Sequence, residues 1–407
     1  MGLVAGIPEQ GLDGPPAPSA VHRAVDEDEC RHAGEATGGG ACLDCRAVPD
    51  VISFARGAPA PEALDGGLIA RCTDSALAAD PTVILSYGTG GGYPPLREWL
   101  AAHHGTTADR VLITNGSLEG YVFLLETFLS PGDLIGLEAP TYDRALLQAQ
   151  MHGMDILPIP MEDDGMDVGA LAAACEAGRV PKLVYTIPNF HNPAGTTISL
   201  DKRRALVALA EKHGFWILED DPYGRLRFEG EALPSIYELG GPEKVMFSSS
   251  FSKTLAPGLR VGYLIAPAEL VKTLTTRANQ TYISPAHLPE AAVFKVCEDG
   301  LLDPNIARVT ELMRVRRDAM AAGLHHMPDG TRCTPPEGGF FMWLELPEGM
   351  SADALLPMAQ DSGVIYVAGS ACFIEGHHNT LRLAYSGVSP EEITVGMERL
   401  GAVFASG

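Results

Sequence analysis

The chain has 407 residues, 46% hydrophobic and 20% charged, which are the proportions of an ordinary soluble globule and not of a disordered or fibrous chain. With 52 acidic against 29 basic residues its formal net charge is -23, which repels phosphate backbones and anionic surfaces and argues against nucleic acid or a membrane as partner. No apolar run approaches the roughly 20 residues that span a bilayer, the amino terminus lacks a basic-then-apolar secretion signal, and eight cysteines are too dilute for a disulfide scaffold, so a reducing, cytoplasmic setting is expected.

Residues 1–50 are rich in Gly, Ala, Pro and acidic residues without periodicity and read as a flexible arm. Within it, Cys42 and Cys45 form a CxxC pair that can hold a metal, but the spacing of Cys30 and His32 fits no standard zinc pattern, and no metal is expected. Residues 51–85 are assigned to a segment that packs with a small domain, and residues 86–300 to a large one. There, the run VLIT at 111–114 precedes a helical stretch from about Ser117 to Leu129, the turn SPGD and the strand-like LIGLEA at 134–139, which reads as a βαβ unit. The rhythm repeats through DILPIP, KLVYTI, FWILED, KVMFSSS and VGYLIA, as a largely parallel buried sheet demands. The expected fold is α/β, a three-layer sandwich with a mostly parallel sheet plus a smaller α+β domain over 301–407. In that second part Ile306, Val309, Met313, Met320 and Leu324 mark one face of a long linking helix, and FFMWLEL, VIYVA and LRLAYS read as strands.

Several residues at the ends of these strands can carry chemistry. GTGGGY at 88–93 is a weak dinucleotide signal, because Tyr93 stands where the last glycine of GxGxxG belongs. In ITNGSLEG a strand meets a helix through small residues, and the free amides at Gly116 and Ser117 can bind an anion. Asn192 lies in NPAG, a turn sequence in any protein, directly after KLVYTI. Asp220 and Tyr223 follow FWILE three residues apart, with Asp221 as a rival carboxylate suited to capping the loop. In SSSFSKTLAPGLRVGYL, Lys253 sits among hydroxyls just past a strand. Ser250, Ser252 and Arg260 can bind a phosphate there, although a surface lysine in a loop fits the same residues. Arg382, in the strand LRLAYS, can hold a carboxylate bidentately or form a structural salt bridge.

Together these motifs resemble the fold-type I pyridoxal-phosphate (PLP) aminotransferases of class I/II, and more closely the branch containing 2-aminoadipate, kynurenine and aromatic aminotransferases. The resemblance covers about residues 50–405, with the motifs in the family's order. It implies pyridoxal 5'-phosphate held by Lys253 as a Schiff base, with Ser250, Arg260, Gly116 and Ser117 around the phosphate. Leu118 stands where the relatives usually carry glutamine, which leaves a backbone amide in place of one side-chain contact. Asp220 is then the carboxylate that keeps the pyridine nitrogen protonated so that the ring can accept electrons. Tyr223 and Asn192 hydrogen-bond the ring oxygen O3′, and Tyr142 stacks on the ring. Arg382, with Asn192, holds the substrate carboxylate, and Gly57 lets the amino-terminal segment pass close over the substrate. Tyr87 matches the tyrosine that reaches the neighbouring subunit's cofactor phosphate, which makes a homodimer the functional unit. An ordinary core aromatic at 142 and a loop anchor at 87 are the plainer readings of the two tyrosines.

The activity so implied is transfer of an amino group between an L-amino acid and a 2-oxo acid, through a Lys253 aldimine and pyridoxamine phosphate, with Lys253 as both anchor and general base. The Gly-, Ala- and Pro-rich acidic composition suits a high-GC bacterium making specialised amino acids, and such an amino acid is the expected substrate. The alternatives are an oxidase, decarboxylase or lyase on the same scaffold, because orientation and water access choose the reaction, and a non-catalytic effector-binding module. The latter is otherwise fused to a basic DNA-binding segment, for which the first 50 residues are too short and too acidic.

Overall fold

Short runs of aliphatic and β-branched residues, each closed by a turn, become strands in the computed structural model, which describes residues 51–406. In chain order they are β1 (Ile52–Ser53), β2 (Val111–Thr114), β3 (Leu134–Ala139), β4 (Asp155–Glu162), β5 (Gly165–Met166), β6 (Leu183–Thr186) and β7 (Trp216–Asp220). There follow β8 (Val245–Ser250), β9 (Gly262–Ile265), β10 (Phe341–Glu345), β11 (Val364–Ile365), β12 (Val367–Ala368) and β13 (Thr380–Ala384).

An eight-stranded sheet runs in the order β2-β9-β8-β7-β6-β3-β4-β5. Strands β8, β7, β6, β3 and β4 are mutually parallel, while β9 is antiparallel to both its neighbours and β5 to β4. β2, β6 and β9 are buried along their whole length, as strands between two helical layers must be. The helix Ser117–Thr127 packs against Asp143–Met151 and Ala268–Tyr282, and the helix Leu200–His213 against Val168–Glu176 and Ile236–Gly240. The result is the expected α/β three-layer fold with a mostly parallel sheet.

One local expectation needs correction. β2, the helix after it and β3 do not form a βαβ unit of neighbouring strands: β2 and β3 point the same way, but β9, β8, β7 and β6 lie between them. Fully buried strands carry no pattern that names their neighbours, so the crossover from β2 had no visible destination.

Beyond residue 301 the helix Leu302–Ala322 buries Ile306, Val309, Met313 and Met320 on one face, as the spacing predicts, while Leu324 falls in the short turn that follows. The same face buries Arg316 and Arg317, whose heads find Val388 O and Pro336 O. β10, β13 and β12 form an antiparallel sheet. β1 pairs parallel with β11, and Ala384 N donates to Phe54 O, so the segment around residue 54 is tied to the C-terminal strands. The helix Gly66–Ala79, by contrast, packs on His287–Glu298. Among the described residues no helix is long and apolar enough to cross a membrane, and no cluster of His, Cys, Asp and Glu could hold a metal ion. The 1–50 arm with Cys30, His32, Cys42 and Cys45 lies outside the described residues.

Candidate active site

The loops that leave the carboxyl ends of β2, β6, β7 and β8 converge on a cavity of about 360 Å³, the place where open parallel sheets bind ligands. Gly57, Gly116, Ser117, Leu118, Tyr142, Asn192, Asp220, Tyr223, Ser250, Lys253, Arg260 and Arg382 all line it. Of the residues that the resemblance places around the cofactor, Tyr87 stands apart. It is 85% exposed, in a surface cleft with Leu85, Tyr282 and His287.

One part of the cavity is built to take an anion. Gly116 caps the helix Ser117–Thr127 with φ of 93°, a backbone that L side chains rarely adopt. A Cβ there would come within 2.2 Å of Arg260 Nη2. Arg260, itself left-handed at φ 54°, donates from Nη2 to Asn115 O (2.8 Å) and from Nη1 to Pro257 O (3.2 Å), so its guanidinium is fixed beside the free amides of the helix start. Ser250 Oγ donates to Ser252 Oγ at 2.8 Å, which keeps both hydroxyls on the same wall.

Asp220 closes β7 and is buried. Its Oδ2 accepts from Tyr185 Oη at 2.8 Å, while its Oδ1 has no partner, and burial pushes its carboxyl up to about 7. The neighbouring Asp221 does not line this cavity. It accepts from Gly224 N at 2.8 Å and so caps the loop, the role anticipated for the rival carboxylate.

Lys253 Nζ donates to Gly57 O at 2.7 Å and lies 5.6 Å from the Phe340 ring and 5.9 Å from the Tyr223 ring. Burial first, then the charges of Arg382 and Arg260, lower its amine to about 8, against the pull of Asp220. Arg382 donates from Nη1 to Asn192 Oδ1 (2.8 Å) and from Nη2 to Ala55 O (2.7 Å), and its guanidinium lies 4.4 Å from the Phe341 ring. Its Nε has no partner. With Oδ1 of Asn192 occupied by Arg382, the Asn192 amide nitrogen is left to donate. Gly57 has no room for a side chain, since a Cβ would sit 2.3 Å from Phe341 Cζ. Tyr142 is half-buried, and burial pushes its phenol up to about 12. Tyr223 is packed against Phe340 and Phe341.

Sequence reasoning missed several residues. Tyr185 lies in LVYT and Phe341 in FFMWLEL, where both read as strand core; Arg144, also at the cavity, follows Tyr142 in a helix start. The Glu138–His191 pair was also unforeseen. Both are fully buried, with His191 Nε2 2.9 Å from Glu138 Oε2. Glu138 accepts hydrogen bonds from Thr186 Oγ1 and Ile187 N, and Ala194 N donates to His191 Nδ1 at 3.1 Å. This network fixes the loop that carries Asn192, and only the position of His191 beside Asn192 hinted at it.

The donor set fits PLP. A free-amide turn with an arginine suits a phosphate, an unpartnered buried carboxylate oxygen suits a protonated ring nitrogen, and a buried amine of lowered basicity suits a carbonyl. The family model described as aminotransferase class I and II matches residues 49–400. The chain is 37% identical to an aromatic-amino-acid aminotransferase of Thermococcus litoralis, over 86% of this chain and 87% of that one. Its fold matches the kynurenine aminotransferase of Pyrococcus horikoshii in complex with PMP, with a TM-score of 0.83 and 33% identity over 88% and 91% of the two chains. It also matches an alpha-aminoadipate aminotransferase of Thermus thermophilus, complexed with N-(5'-phosphopyridoxyl)-L-leucine, with a TM-score of 0.83 and 34% identity over 88% and 92%.

Proposed function

Because the chain belongs to the aminotransferase class I and II family and is a PLP-dependent aminotransferase, we propose that Lys253 is its cofactor-bearing lysine and that the surrounding cavity performs the amino transfer. One observation carries the assignment. The buried Lys253 amine, lowered to about 8, faces the same cavity as the unpartnered Oδ1 of Asp220, with Arg260 and Arg382 fixed there by separate backbone carbonyls.

PLP, when bound, supplies the electron sink that stabilises negative charge at the substrate α-carbon. The chain's own residues do the rest. Gly116, Ser117, the Leu118 amide, Ser250 and Arg260 would hold the phosphate. Asp220 Oδ1 would accept from the ring nitrogen, Tyr223 and the Asn192 amide would donate to the ring oxygen, and Tyr142 would cover the ring. Arg382, kept in place by Asn192 and Ala55, takes the substrate α-carboxylate and so sets the orientation of the bond to be broken. Lys253 Nζ, buried in the same cavity, would take the substrate α-proton and return it. An amine that titrates near 8 exchanges protons readily at neutral pH.

The substrate class follows the relatives, which are named for aromatic, kynurenine and aminoadipate substrates. The functional unit is a homodimer. The exposed Leu85, Tyr87 and Ile283 supply apolar surface, and Tyr87 donates to the partner's phosphate. The division into a segment 51–85, a large domain 86–300 and a small domain 301–407 is retained as part of this reading.

Incubation with paired L-amino and 2-oxo acids should exchange the amine without release of carbon dioxide or peroxide. Lys253→Ala should abolish exchange, and wild-type turnover in that variant would overturn the assignment.

A further inference from the structure

We propose that Tyr185 is a positioning residue for this chemistry: it occupies one oxygen of Asp220 so that the other is presented to the cofactor's ring nitrogen as an ionised carboxylate. The inference rests on the assignment of Asp220 above and adds the group that governs it.

The geometry starts from strand register. Tyr185 in β6 lies opposite Leu218 in β7, and Asp220 is two residues further along, on the same face of the sheet. From there the Tyr185 hydroxyl donates to Asp220 Oδ2 at 2.8 Å. The tyrosine is fully buried and its ring packs against Tyr121, 5.1 Å between centroids. Tyr121 sends its own hydroxyl to Ala145 O at 3.2 Å and does not compete for Asp220. Burial and the adjacent carboxylate raise the Tyr185 phenol well above its ordinary value, so it stays a donor at any working pH.

The groups facing Asp220 pull both ways. Burial favours the neutral acid, as does the nearby Asp221, whereas the Tyr185 hydrogen bond and the Lys253 charge favour the carboxylate. Tyr142 and Tyr223 also face it, and both stay neutral. Burial is the largest of these influences, and the Tyr185 hydrogen bond is the largest that favours the carboxylate. Removing the hydroxyl makes Asp220 more basic, so the proton shared with the ring nitrogen moves toward the carboxylate and the ring loses positive charge.

The experiment is a pH titration of the visible absorption band of the cofactor-loaded protein, comparing wild type, Tyr185→Phe, Asp220→Asn and the double variant, with Tyr121→Phe as a control for the ring cluster. That band reports the nitrogen joining Lys253 to the cofactor, whose proton affinity rises as the ring loses charge. Tyr185→Phe should raise the midpoint by about one pH unit, the scale of a hydrogen bond to a charged group. Asp220→Asn should also raise it, and in that background Tyr185→Phe should add nothing. Tyr121→Phe should leave it in place. A midpoint unmoved by Tyr185→Phe but moved by Asp220→Asn overturns the role of Tyr185 alone, as does an equal shift with and without Asp220. A midpoint unmoved by Asp220→Asn overturns the assignment of Asp220 itself.

Discussion

At the scale of single residues, the chain keeps a lysine where a lysine is least comfortable as a cation. Burial and two arginines lower Lys253 to about 8. The sign of the consequence is fixed: below that pH the amine is protonated and inert as a nucleophile, above it neutral and reactive. The rate at which the cofactor-free protein takes up PLP, followed by visible absorbance, should therefore climb with pH and level off above about 8. An amine of ordinary basicity would keep gaining rate to about 10. Most residues of this kind were legible because each sits in a short motif just past a strand. Tyr185 was not, since a tyrosine inside LVYT has the same sequence signature whether it fills the core or orients a carboxylate. Phe341 was hidden by the same ambiguity, and Arg144 by lying in an ordinary helix start.

At the scale of elements, the turn between β2 and the helix Ser117–Thr127 shows how local backbone makes a binding site. Gly116 holds φ of 93° and leaves room for the Arg260 guanidinium, which a Cβ would meet at 2.2 Å. Gly116→Ala should weaken PLP binding about tenfold or more, equivalent to roughly 1.4 kcal/mol. The cofactor-free protein should itself lose about 1–3 kcal/mol from the strained backbone. Cofactor retained on dialysis and thermal unfolding of the apo-protein separate the two. The same region marks where sequence reading stopped. VLIT and LIGLEA announce strands with correct limits, but their burial on both faces erases the information that would say which strand each lies beside.

At the scale of the whole molecule, the cavity draws on distant parts of the chain: Gly57 from near the start, the strand ends of the large sheet, and Phe341 and Arg382 from the C-terminal antiparallel sheet. The order of these motifs along the sequence already implied such an assembly. Tyr87 is exposed beside Leu85, away from the cavity of its own chain. If Tyr87 serves the partner's site, mixing inactive Lys253→Ala with Tyr87→Ala subunits should restore activity. Each hybrid dimer then holds one site free of both changes. A Tyr87 serving its own subunit leaves every hybrid site damaged, with no recovery.

Attachment of the cofactor to Lys253 is the claim on which these readings depend. The loaded protein, reduced with borohydride and digested, should carry a single phosphopyridoxyl group on the peptide that contains Lys253, with loss of the visible band. The label on another lysine, such as Lys244 or Lys272, or a band that survives reduction, would contradict it.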